Sequence, residues 1–96
     1  VVGLVRALAQ ETAKSGVTVN AICPGFTDTD LVRDSVARIG KKTGRAPTDT
    51  VAELVKDAPI GRLIRPEEVA AAILSLCQAE ASAITGTTLT VAGGEI

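Results

Sequence analysis

The chain has no Trp, Tyr, Met or His, and its one aromatic residue is Phe26. Without Trp and Tyr it lacks the usual stacking platforms for bases, and with no His and no Asp/Glu/Cys cluster at ligand spacing neither a structural zinc nor a histidine-based nucleophilic triad has support. Ten basic residues against eleven acidic ones leave a formal charge of -1. That balance gives no electrostatic reason to expect DNA, RNA or an anionic membrane as partner. No uninterrupted apolar run is long enough for a transmembrane helix. The start, Val1-Val2-Gly3-Leu4-Val5, lacks the basic segment of a signal peptide. Starting without Met suits an internal fragment. Cys23 and Cys77 are too few for a disulfide framework and read as reduced thiols, Cys23 within an apolar strand pattern.

What remains is aliphatic. Hydrophobic residues make up 46% of the 96 positions, so a core must be assembled from Val, Leu, Ile and Ala, a composition suited to helices covering a parallel sheet. A chain this short buries a smaller share of its surface than a typical domain. Leu4, Val5, Leu8, Ala9, Thr12 and Ala13 recur at helical spacing and predict a helix from Val1 to about Lys14, stopped by Gly16. Gly3 lowers helix propensity there and permits close backbone approach. Val17 to Cys23, rich in β-branched residues, reads as a buried strand that Pro24 ends.

Short helices are expected over Asp30 to Ile39 and Thr50 to Val55, with 40–47 as a polar connection and Thr50 and Glu53 at the spacing of a capping box. Pro66, followed by Glu67 and Glu68, opens a further helix whose buried stripe would be Val69, Ala70, Ile73, Leu74 and Cys77. Thr87 to Val91 reads as a strand entered through Gly86 and left through Gly93-Gly94. This order of elements is that of an α/β unit.

The turn after Cys23 is the chief site candidate, because the carboxyl end of a parallel strand is where ligands bind in such sheets. Read without any family, Thr27, Asp28, Thr29 and Asp30 are also plain caps for the next helix. The segment Val17 to Thr29, with Val1 to Gln10 before it and Gly61-Arg62, Arg65 to Ala70 and Gly93-Gly94 after it, resembles the short-chain dehydrogenases/reductases over nearly the whole chain.

The resemblance implies an α/β fold, the C-terminal portion of a Rossmann-like doubly wound parallel sheet with a helical substrate-loop insertion. Residues 1–96 would then be part of a single dinucleotide-binding domain, with 27–60 as the substrate loop. It implies NAD or NADP as cofactor, with Pro24, Gly25, Phe26, Thr27 and Thr29 at the nicotinamide. Thr27 would act through its backbone and Thr29 through its hydroxyl, while Gly25 would leave room for the flat ring. Leu31, Val32 and Leu54 are candidates for the substrate pocket.

The substrate implied is a small carbonyl compound or alcohol, including a 3-oxoacyl or 3-hydroxyacyl thioester. The family's catalytic tyrosine and lysine, one helical turn apart, lie upstream of the helix that begins this chain, so no catalytic residue and no metal ligand is assigned here. A missing N-terminal portion, a homotetramer and a cytoplasmic location are expected of the complete enzyme. The alternative is a noncatalytic assembly or binding module. Arg33, Arg38, Lys41, Lys42 and Arg45 form a local basic bias, read as solvated helix ends and a polar loop or, more sharply, with Lys41, Lys42 or Arg45 meeting the phosphates of a coenzyme A thioester. Ala92 stands where the family commonly has aspartate, and Gly93-Gly94 read as a tight turn near a subunit contact.

Overall fold

A computed structural model describes residues 1–95. The elements in chain order are α1 (Val2–Thr12), β1 (Ala21–Pro24), α2 (Asp30–Thr43), α3 (Pro47–Leu54), α4 (Pro66–Leu76) and β2 (Thr88–Val91), with short 3-10 turns at Ala13–Ser15 and Ala79–Ala81. The chain divides into two compact units, one formed by Val1–Cys23 with Glu67–Thr90 and the other by Pro24–Pro66 with Val91–Ile96.

The strands β1 and β2 pair in a two-stranded sheet. Ala21 N–H donates to Thr87 O and Gly25 N–H to Val91 O, each at 3.0 Å, so both partners advance together and the pairing is parallel. Donation to β2 falls on these odd positions. Pro24 is an even one, and its donorless nitrogen is turned to the opposite edge. The proline therefore ends the strand without removing a bond from this sheet.

In the first unit, α1 and its 3-10 extension stop at Gly16, whose φ of 81° is a conformation glycine adopts without strain. The apolar stripe of α1 is only partly covered: Val5 and Ala9 are buried, whereas Leu4 and Leu8 are exposed. The expected strand from Val17 is shorter and later than the sequence suggests. Side chains share the pairing before Ala21: Thr85 Oγ1 accepts from Val19 N–H at 3.1 Å, and Asn20 donates to Ile84 O at 3.0 Å and accepts from Thr87 N–H at 3.1 Å, beside one backbone bond from Gly86 N–H to Val19 O at 2.8 Å. With side-chain bonds interrupting the ladder, residues 17–20 stay irregular. Cys23 is exposed, and so is Cys77; both are free thiols.

Helix α4 begins at Pro66 as expected, but its stripe is not buried within the described residues: Val69 is half-buried, Ala70, Ile73 and Cys77 are exposed, and Leu74 is 63% exposed. Periodicity identifies an apolar face, not what lies against it.

The second unit packs α2 on α3. Helix α2 runs through the expected polar connection as far as Thr43, because Gly44 at φ 70° closes it with an N–H bond to Gly40 O at 2.8 Å and Lys41 and Lys42 sit at the electronegative helix end. Helix α3 starts at Pro47, three residues before the expected start. Thr50 is therefore inside the helix, buried, its hydroxyl turned back to Ala46 O at 3.4 Å, and there is no capping box. Glu53 instead accepts from Lys56 Nζ at 2.9 Å. Val36, Val55, Ala58 and Ile64 are the buried apolar residues around this pair. The turn Gly93-Gly94 closes on the same unit, with Ile60 N–H donating to Gly93 O at 3.0 Å. A Cβ on Gly93 would overlap Ile60 and one on Gly94 would press on Pro59, so this packing alone accounts for both glycines.

Candidate functional site

Between β1 and α2 the backbone makes a short parallel bridge with Ile64. Ile64 N–H donates to Phe26 O at 2.9 Å and Asp28 N–H donates to Ile64 O at 2.8 Å. Residue 64 thus uses the peptide groups on either side of Thr27, and by the alternation of a β-bridge the N–H and C=O of Thr27 itself point the other way. Among the described residues neither has a hydrogen-bond partner. The Thr27 hydroxyl is already engaged, donating to Gly25 O at 3.0 Å within the turn. The side chain holds the turn, and the backbone is left available.

Gly25 has a packing reason within the structure itself. A Cβ there would lie 3.1 Å from Ala92 Cβ and 3.2 Å from Ala92 Cα, so the missing side chain makes room for the backbone after β2. Pro24, Gly25 and Phe26, together with Glu95, line a cavity of about 300 Å³. Phe26 is 48% exposed.

Thr29 is the N-cap of α2, its Oγ1 accepting from Val32 N–H at 3.3 Å. The capping that composition alone suggests is therefore present. It uses a lone pair of the hydroxyl and leaves the O–H free to donate, so the cap does not exclude a contact with a ligand acceptor. Next to it, Asp28 Oδ1 accepts from Arg33 Nε at 2.9 Å, and Asp30 Oδ1 lies 3.7 Å from Arg33 Nη1. The Arg33 hydrogen bond holds the Asp28 carboxyl below the usual carboxylate range, and Asp28 in turn raises the Arg33 guanidinium.

An apolar groove of about 270 Å³ runs between α2 and α3, walled by Val32, Val36, Ala37, Pro47, Val51 and Leu63, with Asp28 and Arg33 completing its lining. Of the three residues expected at a substrate pocket, Val32 lines this groove. Leu31 is 73% exposed and shares a shallow surface recess with Asp34, Ala37, Arg38 and Lys41, and Leu54 is half-buried and lines neither. Arg38 and Lys42 flank Ser35 and Ile39 on another face of α2. Of the basic residues of this helix, Arg33 lines the groove, and Arg38, Lys41 and Lys42 do not.

The Asp28–Arg33 pair is the part of this region that sequence reasoning missed. Its separation of five residues straddles the helix start, and the three- and four-residue spacing of helical ion pairs gives no signal for it. Ile64 as the bridge partner of Thr27 was equally silent. No group of metal-binding side chains occurs among the described residues, and no helix among them is long and apolar enough to cross a membrane.

Comparison with known proteins agrees with the geometry. The family model described as enoyl-(acyl carrier protein) reductase matches residues 1–95. Acetoacetyl-CoA reductase of Rhizobium meliloti (strain 1021) is 41% identical over 93 residues, which is 97% of this chain and 34% of that relative. The crystal structure of a short chain dehydrogenase family protein from Francisella tularensis subsp. tularensis SCHU S4 matches with a TM-score of 0.91 at 28% identity, covering 98% of this chain and 39% of that one. An actinorhodin polyketide ketoreductase variant solved with NADPH gives a TM-score of 0.83 at 33% identity, covering 97% and 36%. The chain thus spans about a third of the length of the curated relative it matches. Its helices and parallel strands are part of a Rossmann-like α/β fold, and the chain belongs to the short-chain dehydrogenase/reductase family.

Proposed function

We propose that this chain supplies the nicotinamide-holding turn and the substrate loop of an NAD(P)-dependent oxidoreductase that interconverts a ketone and a secondary alcohol, with a 3-oxoacyl or 3-hydroxyacyl thioester as substrate. The observation that carries this reading is the unpartnered peptide of Thr27 at the end of a parallel strand. A carboxamide needs one donor for its carbonyl and one acceptor for its amino group. Thr27 offers both from one residue, and the Thr29 O–H adds a further donor beside them. The residues present therefore fit the group.

When bound, NAD(P)H supplies the hydride. The chain's own contribution is to fix the ring: Gly25 is tied to Val91, Phe26 and Asp28 are tied to Ile64, and Thr27 presents its polar backbone from this frame. No residue of this chain is assigned the proton transfer, which by resemblance belongs to a tyrosine and lysine outside it. Residues 27–60 are the substrate loop, with the groove beside Val32 taking the apolar acyl part. The thioester reading is supported by the acetoacetyl-CoA reductase relative. As the resemblance implies, the complete protein is a cytoplasmic homotetramer.

The test is made in the complete protein. Thr27→Pro deletes the N–H in question while sparing the bonds to Ile64; Thr27→Ala retains it. Fluorescence titration with NADH and NADPH should show the proline variant binding roughly three- to ten-fold more weakly, the worth of one neutral hydrogen bond, and the alanine variant close to wild type. Unfolding curves establish that both are folded. Turnover is assayed with acetoacetyl thioesters and simple ketones. Equal cofactor affinity in all three proteins overturns the backbone role. Cofactor-free behaviour with no carbonyl reduction would instead favour a noncatalytic assembly module.

A further inference from the structure

We infer that Arg33 is a positioning residue, clamping the nicotinamide turn to the first turn of α2 through Asp28. The inference deepens the functional reading above and rests on it. Asp28 follows Thr27 directly, and its two polar ends are held from different directions: the N–H by Ile64 O at 2.8 Å and the carboxylate by Arg33 Nε at 2.9 Å. Arg33 is itself anchored, its N–H donating to Thr29 O at 2.9 Å. The pair therefore closes a ring of contacts through residues 28, 29 and 33. Were Asp28 to swing on its N–H bond alone, the adjoining Thr27 peptide would turn with it.

Arg33 also lines the groove between α2 and α3, where every other lining residue except Asp28 is apolar. One side chain thus touches both the groove and the turn. Among the described residues Arg33 has one further ion pair, with Asp30 at 3.7 Å, and that contact is loose. A second exposed ion pair, Lys56 with Glu53 at 2.9 Å, lies in the same unit away from the turn and provides an internal control.

Two measurements on the complete protein test the clamp. Hydrogen–deuterium exchange without cofactor should be faster over residues 25–29 in Arg33→Gln and Asp28→Asn than in wild type, and unchanged there in Lys56→Gln. In steady state the first two variants should raise the KM for NADPH or NADH about two- to five-fold, the range expected of a solvent-exposed ion pair, with kcat little altered. The double variant should be no worse than either single one, as befits a shared contact. Additive effects, or exchange and KM unchanged in Arg33→Gln while the wild type turns over, overturn the clamp and leave the functional reading standing. A wild type with no NAD(P)-linked turnover overturns the reading and the clamp together.

Discussion

The two units of this chain solve the burial problem differently. In the second, α2 and α3 face each other, Val36, Thr50, Val55, Ala58 and Ile64 are buried, and the termini of α2 are closed by Thr29 and Gly44. In the first, only Val5, Ala9 and Ala81 are buried, while Leu4, Ile73, Leu74 and Ile84 remain exposed. Both have amphipathic helices. Only the second finds the partner for those helices within these residues, so an apolar stripe predicts burial only where the matching surface belongs to the same unit.

The largest effect is expected at the closing turn of the second unit. Gly93 has φ 63° and its Cβ direction runs into Ile60. Gly93→Val combines left-handed strain with overpacking, so about 2–5 kcal/mol should be lost in urea unfolding of the complete protein. Wild-type stability in this variant would mean that the turn is not rigidly packed. The next effect is at the N-cap of α2, where Thr29→Ala should cost about 1 kcal/mol of stability through the lost cap. It should also weaken cofactor binding, separable from the stability loss by titrating at a temperature where both proteins are folded.

For the first unit the expectation is reversed. Leu4→Ser and Leu74→Ser remove exposed apolar atoms, so in the 96-residue chain expressed alone they should reduce association, read by light scattering, without lowering the unfolding midpoint. A large loss of midpoint would show these residues to be core. The smallest effect is with pH. Asp28 and Glu53 are both held below the usual carboxylate range by their cationic partners. A folded-state value lower than the unfolded one means that the stabilisation is present above the ordinary carboxylate pKa of about 4 and is lost as pH falls through the lowered value. Glu53→Gln should slightly flatten the acid limb of the melting temperature against pH; an unchanged limb would show that pair to contribute nothing.

These differences also account for what could be read from the residues. Pro66, Gly16, Gly86 and the Pro24-Gly25 turn are set by local backbone chemistry, and each stands where expected. Helix α2 overran its expected end because Gly44, rather than Gly40, adopts the left-handed conformation, a choice that either glycine permits. The early start of α3 at Pro47 was available in the sequence through proline's preference for the first helical position, but Thr50 and Glu53 offered a competing pattern. At the candidate site, Thr27 and Thr29 are singled out through the family resemblance, and the residues alone read as helix caps. Ile64 and Arg33, which hold that turn in shape, act across distances or register that no short motif encodes.

The register of Pro24 has a consequence for any strand laid along the other side of β1. Such a neighbour would find an amide to accept at Ile22, an even position facing it, and none at Pro24 two residues later. Its ladder would run out there, and the two chains would be free to diverge just before Thr27. A proline in that register acts as a wedge: it opens a crevice by withholding one donor, and the next exposed peptide waits at the bottom of the gap.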